Sequence, residues 1–434
     1  MSETLSLPDR AADLMPRQTA VVIGQGYVGL PLAMRACEAG YRVVGLDTDE
    51  HRIKRLGGAD SFIQDISDSC LQAALDSGRY LPSTDYADAA GFDFCAITVP
   101  TPLRHGAPDL SHVEEAGCEV GRLLRPGATV VLESTTYPCT TERVLQPILE
   151  EASGLKAGRD FHLGYSPERI DPGNEYWDLE NTPKVVSGID AESLARVEEF
   201  YGRLVRRTVP VQSPSTAEMA KLLENTFRHV NIALVNEMAV FSAALGVDIW
   251  EAIDAAATKP FGFMRFLPGP GVGGHCLPVD PIYLSWQVRQ VLRNDFRFVS
   301  LANDINDHMP DHVVKRVTHG LNGHGKAVHG SRILVLGLAY KKNTGDIRES
   351  PALPVVEGLC KLGARVVAAE PHVEPHLRPS GLLCVDLTEE EVRACDAVVV
   401  VTDHDAFDYE LVQRCAPYVF DTRNRCAGPN VERL

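Results

Sequence analysis

"TAVVIGQGYVGLPLAMRACEAGYRVVGLDTD", residues 19–49, decides the fold. An apolar run, Ala20 to Ile23, meets the glycine-rich turn GQGYVG; a stretch with helical spacing follows, then Gly40 and a second apolar run ending in Asp47. A buried strand, a tight turn, a helix and another buried strand make one βαβ unit. In that setting Gly24 makes the turn, Gly26 lets the main chain meet a pyrophosphate, and Gly29 packs helix against strand. Gly24, Gly26, Tyr27, Val28 and Gly29 are therefore candidate cofactor contacts. Asp47 stands roughly 20 residues on, where a carboxylate accepts from a ribose hydroxyl and repels a 2′-phosphate. That combination points to NAD. Arg52 leaves the opposite choice open, since an arginine can accommodate the phosphate, and a glycine-rich turn without any ligand is the plainer alternative.

The same plan returns in "SRILVLGLAYKKNTGDIRESPALPVVEGLCKLGARVVAAEP", residues 331–371, with Gly363 before the second strand and Glu370 at its end. "GFDFCAITVPTP" (91–102) likewise has a partner in "ACDAVVVVTDHDAF" (394–407), each an apolar strand closing in small polar residues. The expected fold class is α/β, with two Rossmann-like doubly wound units joined by a long central helix and a small helical domain. The helix is read from "SPSTAEMAKLLENTFRHVNIALVNEMAVFSAALGVD", with Ser215 and Glu218 at capping-box spacing and Gly246 as the stop. About 30 residues of helix span roughly 45 Å, more than one domain usually needs. A homodimer or higher homo-oligomer packed along it is expected. The domains are read as 1–213 (NAD-binding), 214–312 (helical, dimerising, with a cysteine loop) and 313–434 (the second Rossmann-like unit).

The totals restrict the function. A chain of 434 residues holds about two to three domains. No run reaches the roughly 18 apolar residues of a membrane helix, and "MSETLSLPDRAADLMPRQ" lacks the apolar core of a signal peptide. A cytoplasmic protein without membrane partners is expected. The 11 cysteines form no CxxC pair and are odd in number, which excludes a disulfide framework and a zinc pattern and fits reduced thiols. No metal site is expected. The formal net charge of -17 argues against nucleic acid. An anionic ligand would need basic residues concentrated at its own site.

A second stretch, "GPGVGGHCLPVDP" (269–281), holds a thiol among glycines. Glycine at that density marks a loop whose main chain approaches something closely. Cys276 has little apolar periodicity to pack into and reads as a nucleophile. His275 is a poor activating base, because neighbours in an extended segment point to opposite sides. Asp280 either positions water or a lysine, or caps the turn. Lys221 and Asn225, four apart, share one helix face, an arrangement that solvated helices also show. Glu168, in "YSPERIDPGN" (165–174) after the strand "DFHLGYS", reads equally as a general base or a surface charge.

From about residue 19 to 425 the chain resembles the nucleotide-sugar 6-dehydrogenases typified by UDP-glucose 6-dehydrogenase. The resemblance rests on "GQGYVGLPLA", "SPER", "EMAKLLENTFRHVNIALVNE", "PGPGVGGHCLPVDP" and "GLAYKKNTGDIRES", in the family's order and spacing. "TKPFGF…PGPGVGGHC" and "SPERIDPGN" look most like the branch acting on UDP-N-acetylhexosamines, UDP-N-acetylglucosamine in particular, for surface polysaccharides. The resemblance implies a four-electron oxidation of a sugar CH₂OH to a carboxylate with two NAD, through a thiohemiacetal and a thioester on Cys276. It implies that Lys221 and Asn225 stabilise the oxyanion, that Asp280 orders water and the lysine, and that Glu168 is the base of thioester hydrolysis. It places Thr101 and Thr136 near the cofactor and has Arg348 reach it. It assigns Lys341 to the UDP pyrophosphate, and Gly273, Arg169 and Arg423 to the substrate. The loop around Arg265 departs from the UDP-glucose enzymes, which carry an aromatic residue there. Lys259 or Arg265 would supply charge, and the sugar would be read differently. UDP-N-acetylmannosamine, UDP-N-acetylgalactosamine and UDP-glucose stay open as substrates. A two-electron β-hydroxyacid dehydrogenase and a non-catalytic nucleotide-sugar sensor are the competing readings.

Overall fold

The structure, a computed structural model, describes residues 18–63, 65–170, 174, 176–274 and 277–434. His275 and Cys276 lie outside the described residues. The chain divides into two compact units, Met1–Lys221 and Leu222–Leu434.

The N-terminal unit carries β1 (Thr19–Ile23), β2 (Arg42–Leu46), β3 (Tyr80–Ser83), β4 (Phe94–Ile97), the short hairpin β5 (Leu103–Arg104) and β6 (Ala107–Pro108), β7 (Thr129–Leu132), β8 (His162–Tyr165), β9 (Lys184–Gly188) and β10 (Thr208–Pro210). Eight of these form one sheet in the order β10-β9-β8-β7-β4-β1-β2-β3. All neighbours are parallel except β8 with β9. A parallel sheet is covered on both faces, so its strands must be apolar on both sides. Accordingly Ala20 and Val22 enter one buried cluster with the helix Gly29–Glu38, while Val21 and Ile23 enter another beneath the helix Ser111–Leu123. Strand order reverses between β1 and β4, and ligands of doubly wound sheets bind at that switch point.

The C-terminal unit repeats the plan with β11 (Arg332–Leu336), β12 (Arg365–Ala369), β13 (Leu383–Cys384), β14 (Ala397–Val400), β15 (Val419–Asp421) and β16 (Val431–Arg433). Its six-stranded sheet runs β13-β12-β11-β14-β15-β16, parallel throughout. Trp250 and Ile253 from the helix Ile249–Ala257, and Met309, Val313 and Val317 from Met309–Gly323, share one buried cluster with Ile333 and Val335 of β11.

The long helix is Pro214–Leu245, 32 residues. Its start differs from the expected capping box. Ser213, not Ser215, is the cap: its Oγ accepts from Thr216 N at 3.2 Å and its carbonyl from Ala217 N. Pro214 lacks an N–H and suits the first helical position, which fixes the cap one residue earlier. Glu218 is consequently released from capping. It is fully buried and accepts from Cys139 N at 2.5 Å, Thr141 N at 2.9 Å and Thr141 Oγ1 at 2.7 Å. The stop is as expected, with Gly246 left-handed at φ 71° and Val247 N returning to Ser242 O at 2.9 Å.

Candidate functional site

Each glycine of the first turn has a distinct surrounding. Gly24 is left-handed at φ 91°, and a Cβ there would stand 2.8 Å from Thr98 O. At Gly29 it would stand 1.8 Å from Gly24 O, so helix and turn touch through the missing side chain. At Gly26 a Cβ would meet no protein atom within 4 Å, which leaves the main chain open to a ligand at the start of the helix Gly29–Glu38. A helix N-terminus suits a pyrophosphate.

Asp47 follows β2 and is buried. Its Oδ2 accepts from Gln25 N at 2.8 Å and from Arg52 Nη1 at 2.7 Å, and its Oδ1 from Asp49 N at 3.0 Å. A carboxylate offers about four acceptor sites, so Oδ1 retains capacity for a hydroxyl. Arg52, half-exposed, is thus engaged by Asp47, with its guanidinium carbon 5.3 Å from the centre of the Phe62 ring. Two residues unmarked in the sequence hold this turn. Gln25 is fully buried, donating to Val22 O at 2.8 Å and accepting from Tyr80 OH at 2.8 Å; Thr98 Oγ1 bonds the carbonyls of Ile23 and Gly24, both at 2.8 Å. A glutamine between two turn glycines, directly after a buried strand, was the available signal for the first.

Thr101 Oγ1 donates to Thr135 O at 2.7 Å. Thr136 Oγ1, in the segment after β7, is buried with no hydrogen-bond partner among the described residues. The open side of Gly26, the acceptor capacity of Asp47 and this orphaned hydroxyl together fit a dinucleotide.

Glu168 follows β8. Its Oε1 accepts from the backbone N of Arg169 at 2.6 Å and of Ile170 at 2.7 Å, and its Oε2 from Lys184 Nζ at 3.1 Å. Lys184, the first residue of β9, also donates to Glu133 Oε2 at 2.8 Å. Tyr201 OH donates to Glu133 Oε1, and the Tyr201 ring centre lies 5.3 Å from Nζ. Burial alone would raise the Glu168 carboxyl, but Lys184, the Ile170 amide and Lys221 hold it below the usual carboxylate range. Burial raises Glu133 despite the same lysine. Lys221, the last residue of this unit, places Nζ 2.5 Å from the carbonyl oxygen of Glu168. Arg169 turns its Nη1 to Pro183 O at 2.6 Å.

In the C-terminal unit Asn225, buried one helical turn after Lys221, donates through Nδ2 to Asp280 Oδ2. Asp280 is the first residue of the helix Asp280–Gln287 and is itself buried, where the helix dipole favours its charge. The glycine loop before Cys276 is fitted to its own unit. A Cβ at Gly273 would stand 2.6 Å from Glu349 O and 2.8 Å from Tyr340 Cβ; one at Gly274, where φ is 89°, would stand 2.8 Å from Tyr340 Cε2. At Gly269 it would meet Arg423 Nη1 at 2.7 Å. Gly274 N donates to Arg348 O at 3.0 Å, and Gly269 N to Asn236 Oδ1 at 2.9 Å. Asn236 is locked in turn by Asn306 at 2.9 Å, an amide pair the sequence did not flag. What the glycine backbone approaches here is the segment 340–351 and Arg423.

Five further cations of this unit were singled out in the sequence. Arg423 donates Nε to Val401 O at 2.8 Å. Lys341 is half-buried, its carbonyl accepting from Thr344 Oγ1 at 2.9 Å. Arg348 is exposed and pairs with Asp346 at 3.0 Å. Arg265, exposed, donates to Asp254 at 2.7 Å and 3.2 Å, and Lys259 Nζ lies 5.0 Å from the Phe261 ring centre.

Three family models match in chain order. They are the NAD binding domain (residues 18–205), central domain (215–308) and UDP binding domain (334–427) of the UDP-glucose/GDP-mannose dehydrogenase family. A UDP-N-acetyl-D-mannosamine dehydrogenase of Pyrococcus horikoshii is 37% identical over 94% of this chain and 96% of its own. A UDP-N-acetyl-D-glucosamine 6-dehydrogenase of Salmonella typhi is 36% identical over 89% of this chain and 90% of its own. The solved structure of the UDP-D-ManNAc dehydrogenase from Pyrococcus horikoshii superposes with a TM-score of 0.87 at 34% identity, covering 96% of this chain and 99% of that one.

Proposed function

The chain belongs to the UDP-glucose/GDP-mannose dehydrogenase family and is an NAD-dependent UDP-sugar dehydrogenase, and we propose that it oxidises C6 of a UDP-N-acetylhexosamine, UDP-N-acetylglucosamine first, from the alcohol to the carboxylate. The observation that carries the reading is the pairing of Lys221 with the Glu168 segment and of Asn225 with Asp280. A solvated helix face would leave both side chains in water; here both are buried and engaged.

Bound NAD supplies the hydride acceptor, twice per sugar. The turn Gly24–Gly29, Asp47, Thr101 and Thr136 would hold it, and the family resemblance alone assigns Arg348 to it. Lys221 and Asn225 offer donors to the oxygen on C6 as its charge develops. The Cys276 thiolate adds to the C6 aldehyde, forming a C–S bond, and keeps the carbon in place until it has become a thioester. Water then attacks that carbon, its proton passes to Glu168, and the C–S bond breaks to return the thiolate and release the acid. Asp280 orders the water and the lysine. Lys341 serves the pyrophosphate, and Arg169, Gly273 and Arg423 the sugar end. Arg265 would have to exchange Asp254 for substrate in order to read the sugar. The product, a UDP-linked uronate, suits a polysaccharide-building transferase in the cytoplasm.

We infer a homodimer along the long helix, where Leu223, Phe227, Leu234, Met238, Phe241 and Leu245 form an exposed apolar stripe. A second substrate, UDP-N-acetylmannosamine, is favoured by the 37% identity to the Pyrococcus enzyme of that name. Excess NAD with a limiting amount of each UDP-sugar decides the stoichiometry and the substrate through the NADH formed per sugar consumed. Two NADH on UDP-N-acetylglucosamine support the reading; one NADH removes the thioester route, and preference for another sugar corrects the substrate.

A further inference from the structure

Glu168 is the outer end of a buried chain of charge. Its side chain is 12% exposed, while those of Lys184 and Glu133 are 3% and 0% exposed. The lysine head lies between two carboxylates and beside the Tyr201 ring, whose hydroxyl is spent on the far carboxylate. A buried ion pair contributes little net stability compared with apolar residues of the same volume. The backbone amides of Arg169 and Ile170 fix only Oε1 of Glu168, so the rotation and charge of the carboxylate depend on what meets Oε2. Among the described residues of this unit that is Lys184 alone among side chains.

We propose that Lys184 is a positioning residue for the hydrolytic base: it orients Oε2 of Glu168 and keeps the carboxylate ionised, while Glu133 takes up part of the lysine's charge and so sets how strong a base Glu168 is. The inference rests on the reading of Glu168 as the base that accepts the proton of water as the thioester C–S bond breaks. Among the described residues of this unit, the groups facing Glu168 are Lys184 from β9, Glu133 after β7, Tyr201 from the helix Ala191–Leu204, and Lys221, whose Nζ lies on the Glu168 carbonyl; Arg169, its neighbour, turns to Pro183 O. Without Glu133 the full lysine charge falls on Glu168, which becomes a weaker base. Without Lys184 two buried carboxylates face each other and Glu168 becomes a stronger base that protonates sooner.

The test follows the covalent sugar adduct by acid quench and mass spectrometry in the full-length enzyme with NAD and the UDP-sugar turned over best, and measures its decay from pH 8 down to about pH 2.5, because Glu168 is held below the usual carboxylate range. Glu168→Gln should accumulate the adduct. Absence of accumulation overturns the base assignment and this inference with it. With accumulation established, the acid limb of the decay profile should move down by roughly one pH unit in Glu133→Gln and up by roughly one in Lys184→Met. Tyr201→Phe, which leaves the charges in place, should hold the wild-type limb. Should Lys184→Met fail to fold, Glu133→Gln with the paired Glu133→Gln/Lys184→Met variant keeps the comparison, the pair lying above Glu133→Gln alone. Limbs that stay at the wild-type pH, or move in the same direction, reduce the trio to structural packing.

Discussion

Alanine at Gly26 separates cofactor binding from folding. At Gly29 the new methyl would stand 1.8 Å from Gly24 O and 2.5 Å from Thr98 Oγ1, so Gly29→Ala must push the helix off its turn at about 3 kcal/mol or more. At Gly24 the left-handed backbone adds strain of about 1–2 kcal/mol to an overlap of 2.8 Å with Thr98 O. At Gly26 the methyl meets no protein atom within 4 Å and φ is not positive. Unfolding of Gly26→Ala without NAD should therefore stay within about 0.5 kcal/mol of wild type, or gain slightly from a stiffer unfolded chain. The methyl occupies instead the approach of the pyrophosphate to the turn. Losing one hydrogen bond to a charged oxygen costs about 1.5–3 kcal/mol, which is roughly a 10- to 150-fold rise in the NAD dissociation constant. Isothermal titration with NAD, beside urea unfolding of the free protein, reads both quantities. Wild-type NAD affinity in Gly26→Ala, or a loss of stability matching Gly29→Ala, would refute the reasoning.

Asp47→Ser removes the carboxylate that repels a 2′-phosphate and frees Arg52 to meet one, so the ratio of kcat/KM for NADP to that for NAD should rise at least tenfold; an unchanged ratio excludes the pair as the selector. Cys276→Ser should keep its far-ultraviolet circular dichroism yet release no carboxylate, and full acid production by it removes the thioester. Leu234→Glu with Met238→Glu places charge on the apolar stripe and should yield monomer in analytical ultracentrifugation; a persistent dimer puts the interface elsewhere. In the C-terminal unit, against a burial that would raise it, Glu370 is held by His404 and backbone amides from 4.5 down to about 2. A depressed carboxyl stabilises the fold above its unfolded value and loses that contribution as pH falls through the folded one, here about 3 kcal/mol at neutral pH. The stability gap between wild type and Glu370→Gln in urea should thus narrow by about 2 kcal/mol from pH 7 to pH 3, and a constant gap would contradict the assignment.

The strands were legible because a parallel sheet covered on both faces demands uninterrupted apolar runs, and "AVVI", "RILVL" and "AVVV" answer that demand locally. The long helix was legible from its periodicity, but its cap was not: proline geometry at residue 214 outweighs the spacing of Ser215 and Glu218, and a distant segment, 139–141, claims the carboxylate. Lys184 escaped for the same reason. In sequence it is one lysine before two valines; its partners lie 51 and 16 residues away and become neighbours only when β7, β8 and β9 align. The cysteine loop was half legible. Its glycine density announced a close approach, whereas the identity of what is approached, Tyr340, Glu349 and Pro351, depends on how the C-terminal unit folds around its first turn.

The repeated βαβ plan suggests two copies of one ligand site, and the carboxylates at the ends of β2 and β12 separate them. The turns correspond closely. Gly24 and Gly337 are both left-handed, at φ 91° and 84°, and their amides donate to Leu46 O at 2.7 Å and Ala369 O at 2.9 Å. Thr98 and Thr402 each tie their turn from the following strand. Asp47, however, takes only the Gln25 amide from the turn, whereas Glu370, longer by one methylene, takes Leu338 N at 2.6 Å and Ala339 N at 3.1 Å, and adds His372 N, Val373 N and His404. Ala339 stands where the first unit has Gly26, so a methyl and a carboxylate occupy the place that the first turn leaves to a pyrophosphate. The second unit therefore satisfies the amides of its own turn through Glu370, and its helix starts only at Ala352, well beyond that turn. An anion bound by this unit would then be met by side chains, and the cations we propose for it are Lys341, on the loop after β11, and Arg423, after β15, which would give a chain of net charge -17 local positive charge without a second glycine cradle.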